Sequence, residues 1–397
     1  MRVLVLNYEF PPIGGGGGDV SKNIARYLVN LGVEVTVLTA HWGDLPRCEH
    51  VDGYTVYRTL SLRQHPDRCT IKEMFTFSLC NIIPSLRLAQ EWHPDIVHVH
   101  FAVPVGPLAY LIKKLYGIPY IITLHGGDVP GFDPKQTDHW YRFLLPFTRP
   151  VWRQASSVIA VSPGLRDLAQ QSYPNIPVSV IPNGIDCEYF KPLDGDPDGS
   201  DKVTLIFVGR IAEQKGLTYL IQSLPILRRQ VSVPFELKVV GDGPLRADME
   251  ALAEDLDVLD CIHFTGWVSQ SQVRNWLQRA DVFVLPSLME GLSIALLQAM
   301  ACGLPVVTSN VVGNREVVRD GHNGFHVPSH DIQAWAESLA SLIENRKLRQ
   351  NMAQCSRELG TEYDWNTISR TYLQLLETCA AEGKTVIRSK RRESLER

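Results

Sequence analysis

The chain opens on an apolar run, residues 1–7 (MRVLVLN), whose length and composition read as a strand buried on both faces. Residues 20–31 (VSKNIARYLVNL) then repeat apolar positions at helical spacing, and residues 33–39 (VEVTVLT) form a second strand. Strand, helix and strand in that order make a βαβ unit, which builds parallel sheets. Short apolar runs follow at 95–101, 119–124, 157–161 and 178–181, separated by helix-length stretches, so residues 1–190 are expected to form one α/β domain. Residues 191–202 (KPLDGDPDGSDK) are dense in Pro, Gly and Asp, continue neither element and are expected to be a linker. The same grammar then restarts over residues 203–364. Strands are expected at 203–208, 236–240, 261–265, 282–285 and 305–309, and helices at 216–229, 245–256, 271–279 and 292–301. A last amphipathic helix at about 365–380 precedes a basic segment, 384–397, that is expected to be disordered.

The length of 397 residues corresponds to roughly 2.6 domains, which fits two full α/β domains with a remainder. A composition 45% hydrophobic and 21% charged excludes fibrous and disordered classes. A net charge of −4 supplies no global field for nucleic acid, so a small-molecule partner is expected. The first residues lack a basic segment, an apolar core and a cleavage site, which points to a cytoplasmic protein. The longest nearly uncharged apolar run, 101–112, falls short of the roughly 20 residues a spanning helix needs. Eight cysteines are scattered without any C-x-x-C pair and are read as reduced thiols rather than disulfides or a zinc site.

Ligands of open α/β sheets bind beyond the carboxyl ends of the strands, and that rule selects the candidate chemistry. The glycine run 14–18, read as following strand one directly, opens a helix, where backbone N–H groups approach an anion. It does not spell G-x-G-x-x-G, because Asp19 and Val20 occupy the last glycine in the two possible registers, and strand two ends in Thr39-Ala40-His41 without an acid for a ribose. A nicotinamide cofactor is therefore not expected. His98 and His100 share one strand face without a third metal ligand in sequence, so they are read as cleft-lining or hydrogen-bonded histidines. His125, just after a strand and before Gly126 and Gly127, is the stronger functional candidate. Asp194, Asp196, Asp198 and Gly199 imitate a calcium loop and a D-x-D manganese motif, yet Leu205 stands at the twelfth position and Pro197 interrupts the turn, so a solvated linker is expected. Arg210 at a strand end and Lys215 before the next helix are two cations suited to a departing diphosphate. Glu290 precedes a helix whose free N–H groups are expected around Gly291, Leu292, Ser293 and Ile294, with Gln298 about two turns into that helix.

Taken in order, the glycine-rich loop, DIVHVH, TLHGGD, VIPNGID, VGRIAEQKG, VVGDGP, FTGWV and PSLMEGLSIALLQAMACGLPVVTS resemble glycosyltransferase family 4, the retaining GT-B group. The resemblance implies two Rossmann-like domains facing across a cleft, the C-terminal helix crossing back onto the first. The N-terminal domain would hold the acceptor and the C-terminal domain a nucleotide-sugar donor, with no cofactor and no essential metal. Arg210 and Lys215 would hold the diphosphate, and Glu290 with the backbone of Gly291–Ile294 would meet donor sugar and phosphate. His125 would meet the sugar, Gly16 and Gly17 would lie against the diphosphate, Gly241 would line the donor site and backbone near Val268 would read the base. Gln298 departs from the family, whose E-x7-E motif carries a second Glu there. A neutral amide carbonyl can still accept from a ribose hydroxyl, with a weaker bond. The resemblance favours UDP-glucose as donor and a saccharide or lipid-linked saccharide as acceptor. In the latter case the protein would touch the inner membrane face peripherally, and segment 63–87, with Arg68, Lys72, Phe75, Phe77 and Arg87, is the candidate contact. Two alternatives are a GT-B nucleotide-sugar epimerase and a non-catalytic sugar-binding relative.

Overall fold

The computed structural model describes residues 1–66, 69–132, 134–193 and 202–395, the last helix included, and over 134–143, 384 and 386–395 it describes backbone. Two α/β units emerge, one built from residues 1–183 and 365–397, the other from 184–364.

In the first unit the elements are β1 (Arg2–Leu6), α1 (Gly16–Asn30), β2 (Glu34–Ala40), β3 (Cys48–Val51), β4 (Tyr54–Thr59), α2 (Ile71–Cys80), α3 (Ile82–Trp92), β5 (Ile96–His100), α4 (Ala102–Tyr116), β6 (Tyr120–Leu124), α5 (Pro134–Gln154), β7 (Ser157–Ala160), α6 (Pro163–Ser172) and β8 (Val178–Val180). The strands stand in the order β3-β4-β2-β1-β5-β6-β7-β8, parallel except for the β3–β4 hairpin. The unbroken apolar runs of β5 and β6 follow from burial of every residue, as expected where helices cover both faces. The sheet order reverses between β1 and β5, so the segments leaving those two strands diverge and open a crevice at their carboxyl ends.

In the second unit β9 (Val203–Val208), α7 (Leu217–Gln230), β10 (Phe235–Val240), α8 (Arg246–Asp255), β11 (Ile262–Gly266), α9 (Gln270–Leu277), β12 (Val282–Leu285), α10 (Ile294–Ala301), β13 (Val306–Ser309) and β14 (Gly324–Val327) precede α11 (Ile332–Glu344) and α12 (Arg346–Thr361). All its strands are parallel, in the order β11-β10-β9-β12-β13-β14, and the order reverses between β9 and β12. The helix α10 (IALLQAMA) has no polar face because Leu296, Leu297, Ala299, Met300 and Ala301 are all buried.

The last helix, α13 (Trp365–Leu395), returns to the first unit. Trp365 stacks near Tyr27 of α1 at 6.1 Å between ring centroids, and Tyr372 packs 5.4 Å from the His98 ring of β5.

Several expectations change. The chain leaves the first unit at 183/184, not within 191–202, and residues 184–190 belong to the second unit, where Ile185 N donates to Tyr363 O and Cys187 N to the Asp364 carboxylate. Asp194, Asp196, Asp198 and Gly199 lie outside the described residues. The segment from 384 is not disordered through 395 but continues α13 as helix. The first helix begins at Gly16 rather than residue 20, so Gly16, Gly17 and Gly18 form its first turn. The glycine run does not follow β1 directly, because residues 7–13 lie between Leu6 and Gly14. All eight cysteines are free thiols. No helix among the described residues is long and apolar enough to cross a membrane.

Candidate active site

In the second unit the site forms at the switch point between β9 and β12. Arg210 follows β9 by two residues, and Lys215 ends the short turn that leads into α7. Glu290 lies on the segment between β12 and α10, buried at 6% exposure. Lys215 Nζ donates to Glu290 Oε1 at 2.6 Å, and Ser287 Oγ donates to the same oxygen at 2.7 Å. Ser287 is supported in turn, its carbonyl accepting from Ser309 Oγ, while Asn314 Nδ2 donates to Ser309 O at 3.2 Å. Gln214 ties the two segments together, donating through Nε2 to Met289 O and accepting from Leu288 N at its carbonyl. A buried ion pair held by further hydrogen bonds is geometrically specified, since removing either partner strands a charge. Among the described residues no carboxylate pairs with Arg210, so this switch point keeps one cation uncommitted.

The N–H groups expected over Gly291–Ile294 are shifted. The helix begins at Ile294, Ser293 is its N-cap with Oγ accepting from Leu296 N at 3.4 Å, and Gly291 and Leu292 belong to the approach. The first-turn amides at Ile294 and Ala295 therefore form the positive end of the helix. Gln298 sits just over one turn in, not two, buried at 6% exposure with its Nε2 donating to Gln270 Oε1 at 3.2 Å. Gly241 N donates to Gly266 O at 3.1 Å, and a Cβ at 241, where φ is +134°, would overlap Gly209 O, so glycine permits β9 and β10 to end in close contact. Val268 follows β11, and its amide and carbonyl have no protein partner among the described residues.

In the first unit a second cluster forms at the switch point between β1 and β5. His98 and His100 do share a face, with ring centroids 4.3 Å apart. His100 Nδ1 lies 3.0 Å from His125 Nε2, and His98 Nε2 lies 2.8 Å from Thr123 Oγ1. Burial pushes the imidazolium forms of His98 and His125 down to about 3 and that of His100 well below its ordinary value, so all three rings are neutral at pH 7. No group of three metal-ligating side chains gathers among the described residues. Asp128 shapes the turn that carries His125, its carboxylate accepting from His125 N (2.9 Å), Gly126 N (3.1 Å) and Ala102 N (2.7 Å). Burial pushes Asp128 up to about 6, against those three donors. Gly17 faces this cluster, and a Cβ there would overlap the Phe101 ring beside His125. The helix it opens has no side-chain cap, which leaves the Gly16 and Gly17 amides without one.

Four contributing residues escape a reading of the sequence. Asp128 had a local signal, an acid three residues after His125 in a glycine turn. Ser287 also lies three residues from Glu290, whereas Gln270 and Asn314 carry no local signal.

The family profile described as "Glycosyltransferase Family 4" matches residues 14–189, and the profile described as "Glycosyl transferases group 1" matches residues 196–359. The chain belongs to glycosyltransferase family 4. Among curated relatives of this glycosyltransferase, the glycogen synthase of Mycobacterium tuberculosis is 28% identical over 94% of both chains. Among solved structures, sucrose-phosphate synthase from Thermosynechococcus elongatus superposes with a TM-score of 0.81 at 20% identity, covering 96% of this chain and 99% of that one. HepE from Anabaena, solved with UDP-glucose, gives 0.73 at 18% identity over 96% and 100%. The fold is that of the GT-B glycosyltransferases, and the enzyme class is a transferase of sugars.

Proposed function

We propose that this glycosyltransferase moves glucose from UDP-glucose to a saccharide or lipid-linked saccharide, with retention of anomeric configuration and without a metal. The observation that carries this reading is the grouping of Arg210, Lys215 and Glu290 with the amino end of α10 at one switch point. Two cations and a helix dipole favour a dianionic leaving group and do nothing for an uncharged ligand. Arg210 and Lys215 are assigned to the diphosphate, Glu290 and the Gly291–Ile294 backbone to donor sugar and phosphate, and Gln298 to the ribose. Val268 backbone is assigned to the base and Gly241 to the wall of the donor site. In the first unit His125 is assigned to the donor sugar, and Gly16 and Gly17 to the diphosphate. The choice of UDP-glucose draws on the ligand of HepE, a fold neighbour.

The way Glu290 is held supports the part of this reading that dispenses with a glycosyl-enzyme. Its Oε1 is engaged by both Lys215 and Ser287, which suits an acceptor of sugar hydroxyls better than an attacking nucleophile. The C1–O bond to phosphate breaks, the acceptor oxygen forms the new C1–O bond on the same face, and its proton passes to the leaving phosphate oxygen to give UDP. The protein is assigned to the cytoplasm, in peripheral contact with the inner membrane face when the acceptor is lipid-linked.

A thermal-shift series with UDP-glucose, ADP-glucose and GDP-mannose, followed by NMR of the product anomer, tests the reading. The melting temperature rises with UDP-glucose alone and the product keeps the α configuration. No shift with UDP-glucose removes that donor, and a trapped covalent glycosyl adduct removes the mechanism. Conversion of the UDP-sugar without acceptor would indicate an epimerase, and no consumption with a competent acceptor a non-catalytic relative. Neither alternative is favoured by the relatives, which are named as transferases and synthases.

A further inference from the structure

One buried cation has no part in the chemistry assigned above. Arg63 lies between β4 and α2, its side chain 1% exposed. Its Nε donates to His65 O at 2.9 Å, its Nη2 to Pro66 O at 3.2 Å and its Nη1 to Tyr8 O at 3.4 Å. Nη2 also stands 3.6 Å from Oε1 of Glu9, whose side chain is 15% exposed. A guanidinium withdrawn from water is tolerated only where its donors are engaged, and its planar fork can bridge acceptors on two segments at once. Here it joins its own segment to residues 8 and 9, which lead out of β1 toward the glycine run. Arg68, farther along the same segment, lies outside the described residues.

The two segments that Arg63 joins also enclose the glycines. Pro66 O, an acceptor for Arg63, accepts from Gly14 N as well at 2.7 Å. Glu9 fills the other side: a Cβ at Gly14, where φ is +93°, would overlap Glu9 Cβ, and one at Gly18 would stand 3.0 Å from Glu9 O. Burial raises the Glu9 carboxyl, and Arg63, the Gly15 amide and the Tyr8 hydroxyl all act against that rise. The Tyr8 ring meets Phe101 edge-on at 5.1 Å between centroids, and Phe101 stands 4.6 Å from the His125 ring. Five consecutive glycines have the largest backbone freedom to lose, and the N-cap of α1 is itself a glycine, with no side chain to fix the first turn. Order in this run therefore has to come from outside it. We infer that Arg63 and Glu9 are positioning residues that hold the glycine run in place before a donor arrives, so that the Gly16 and Gly17 amides need not be ordered by the diphosphate. The inference rests on the proposed function for the assignment of those two amides.

The test compares the full-length wild type with Arg63→Lys, which keeps the charge and loses the fork, by amide hydrogen exchange without ligand and by calorimetric titration with UDP. Exchange over residues 13–19 is expected to be at least about tenfold faster in the variant, with β5 and β6 unchanged. Its Kd for UDP is expected to rise about tenfold, the cost of ordering one further backbone residue. Simple loss of folded protein would instead lower the binding stoichiometry and leave Kd as it is. Should Arg63→Lys fail to fold, Arg63→Met/Glu9→Gln removes both charges together, strands neither, and is expected to give the same changes. Unchanged exchange over 13–19, acceleration that spreads equally through β5 and β6, or an unchanged Kd for UDP beside faster exchange overturns the inference. A wild type that binds no UDP removes the donor assignment instead, and faster exchange confined to 13–19 then still supports the pair as what orders the glycine run.

Discussion

His100 Nδ1 lies 3.0 Å from His125 Nε2, so each ring decides which nitrogen of the other carries hydrogen. The remaining nitrogen of His100, Nε2, is buried without a partner. A buried orphan N–H is costlier than an unused lone pair, which favours His100 donating through Nδ1 and His125 holding its own hydrogen on Nδ1. His125 then offers an N–H donor to a sugar oxygen. His100→Phe removes this constraint, and kcat/KM is expected to fall about tenfold, the value of one hydrogen bond. Nitrogen-15 NMR of the imidazoles checks the cause, and an unchanged His125 tautomer in the variant would refute it.

The Lys215–Glu290 pair separates stability from chemistry. Lys215→Met leaves Glu290 charged and buried, which is expected to cost about 3–5 kcal/mol of stability by chemical denaturation. The double variant Lys215→Met/Glu290→Gln restores most of that stability. It does not restore turnover, expected to remain at least about a hundredfold below wild type. Recovery of both properties together would show that the pair is structural.

Gln298 donates to Gln270 and presents its carbonyl elsewhere, which suits a ribose hydroxyl. Gln298→Glu offers a charged acceptor, and an amide flip of Gln270 lets it donate to the new carboxylate. The donor KM is expected to drop about fivefold, since charge-assisted bonds are roughly twice as strong. An unchanged KM would detach this residue from the nucleotide.

The three neutral histidines, His98 and His100 buried and His125 half-buried, set an acid limit. Their native protonation is depressed, to about 3 for His98 and His125, below the unfolded value near 6.5, so across that interval the unfolded chain binds more protons. Their contribution is complete above about pH 7 and is lost as pH falls, by about 1.4 kcal/mol per pH unit for each ring. Asp128, raised to about 6, acts in the opposite sense between there and its unfolded value, one group against three. Denaturation midpoints measured from pH 8 to 4 should be level above 7 and then decline. A flat profile through pH 5 would contradict neutral burial of the cluster.

The two sheets were legible because β1, β2, β5, β6, β9 and β12 are apolar runs buried by helices on both sides, a pattern local to each strand. The hairpin β3–β4 was not, since at this end of the sheet, with β3 its edge strand, polar residues alternate through CEHV and YTVYRT. The unit boundary was misplaced because composition marks where the chain is polar, whereas the crossing is set by pairing of Ile185 with Tyr363, far apart in sequence. In the site, motif residues stood out by type and strand-end position, yet the Lys215–Glu290 bond spans 75 positions and the Gln298–Gln270 bond 28. Such pairings are products of topology, and no window along the chain contains them.

The return of α13 also dictates an order of assembly. Tyr372 of that helix covers the His98 ring, and Trp365 covers Tyr27, so the first unit includes residues made after the whole of the second. On the ribosome, where domains ordinarily close in the order of synthesis, the second unit can finish first while the earlier sheet waits with its α13-facing side uncovered. For this chain the amino-terminal unit is begun first and completed last, because its final helix is the last segment to be made.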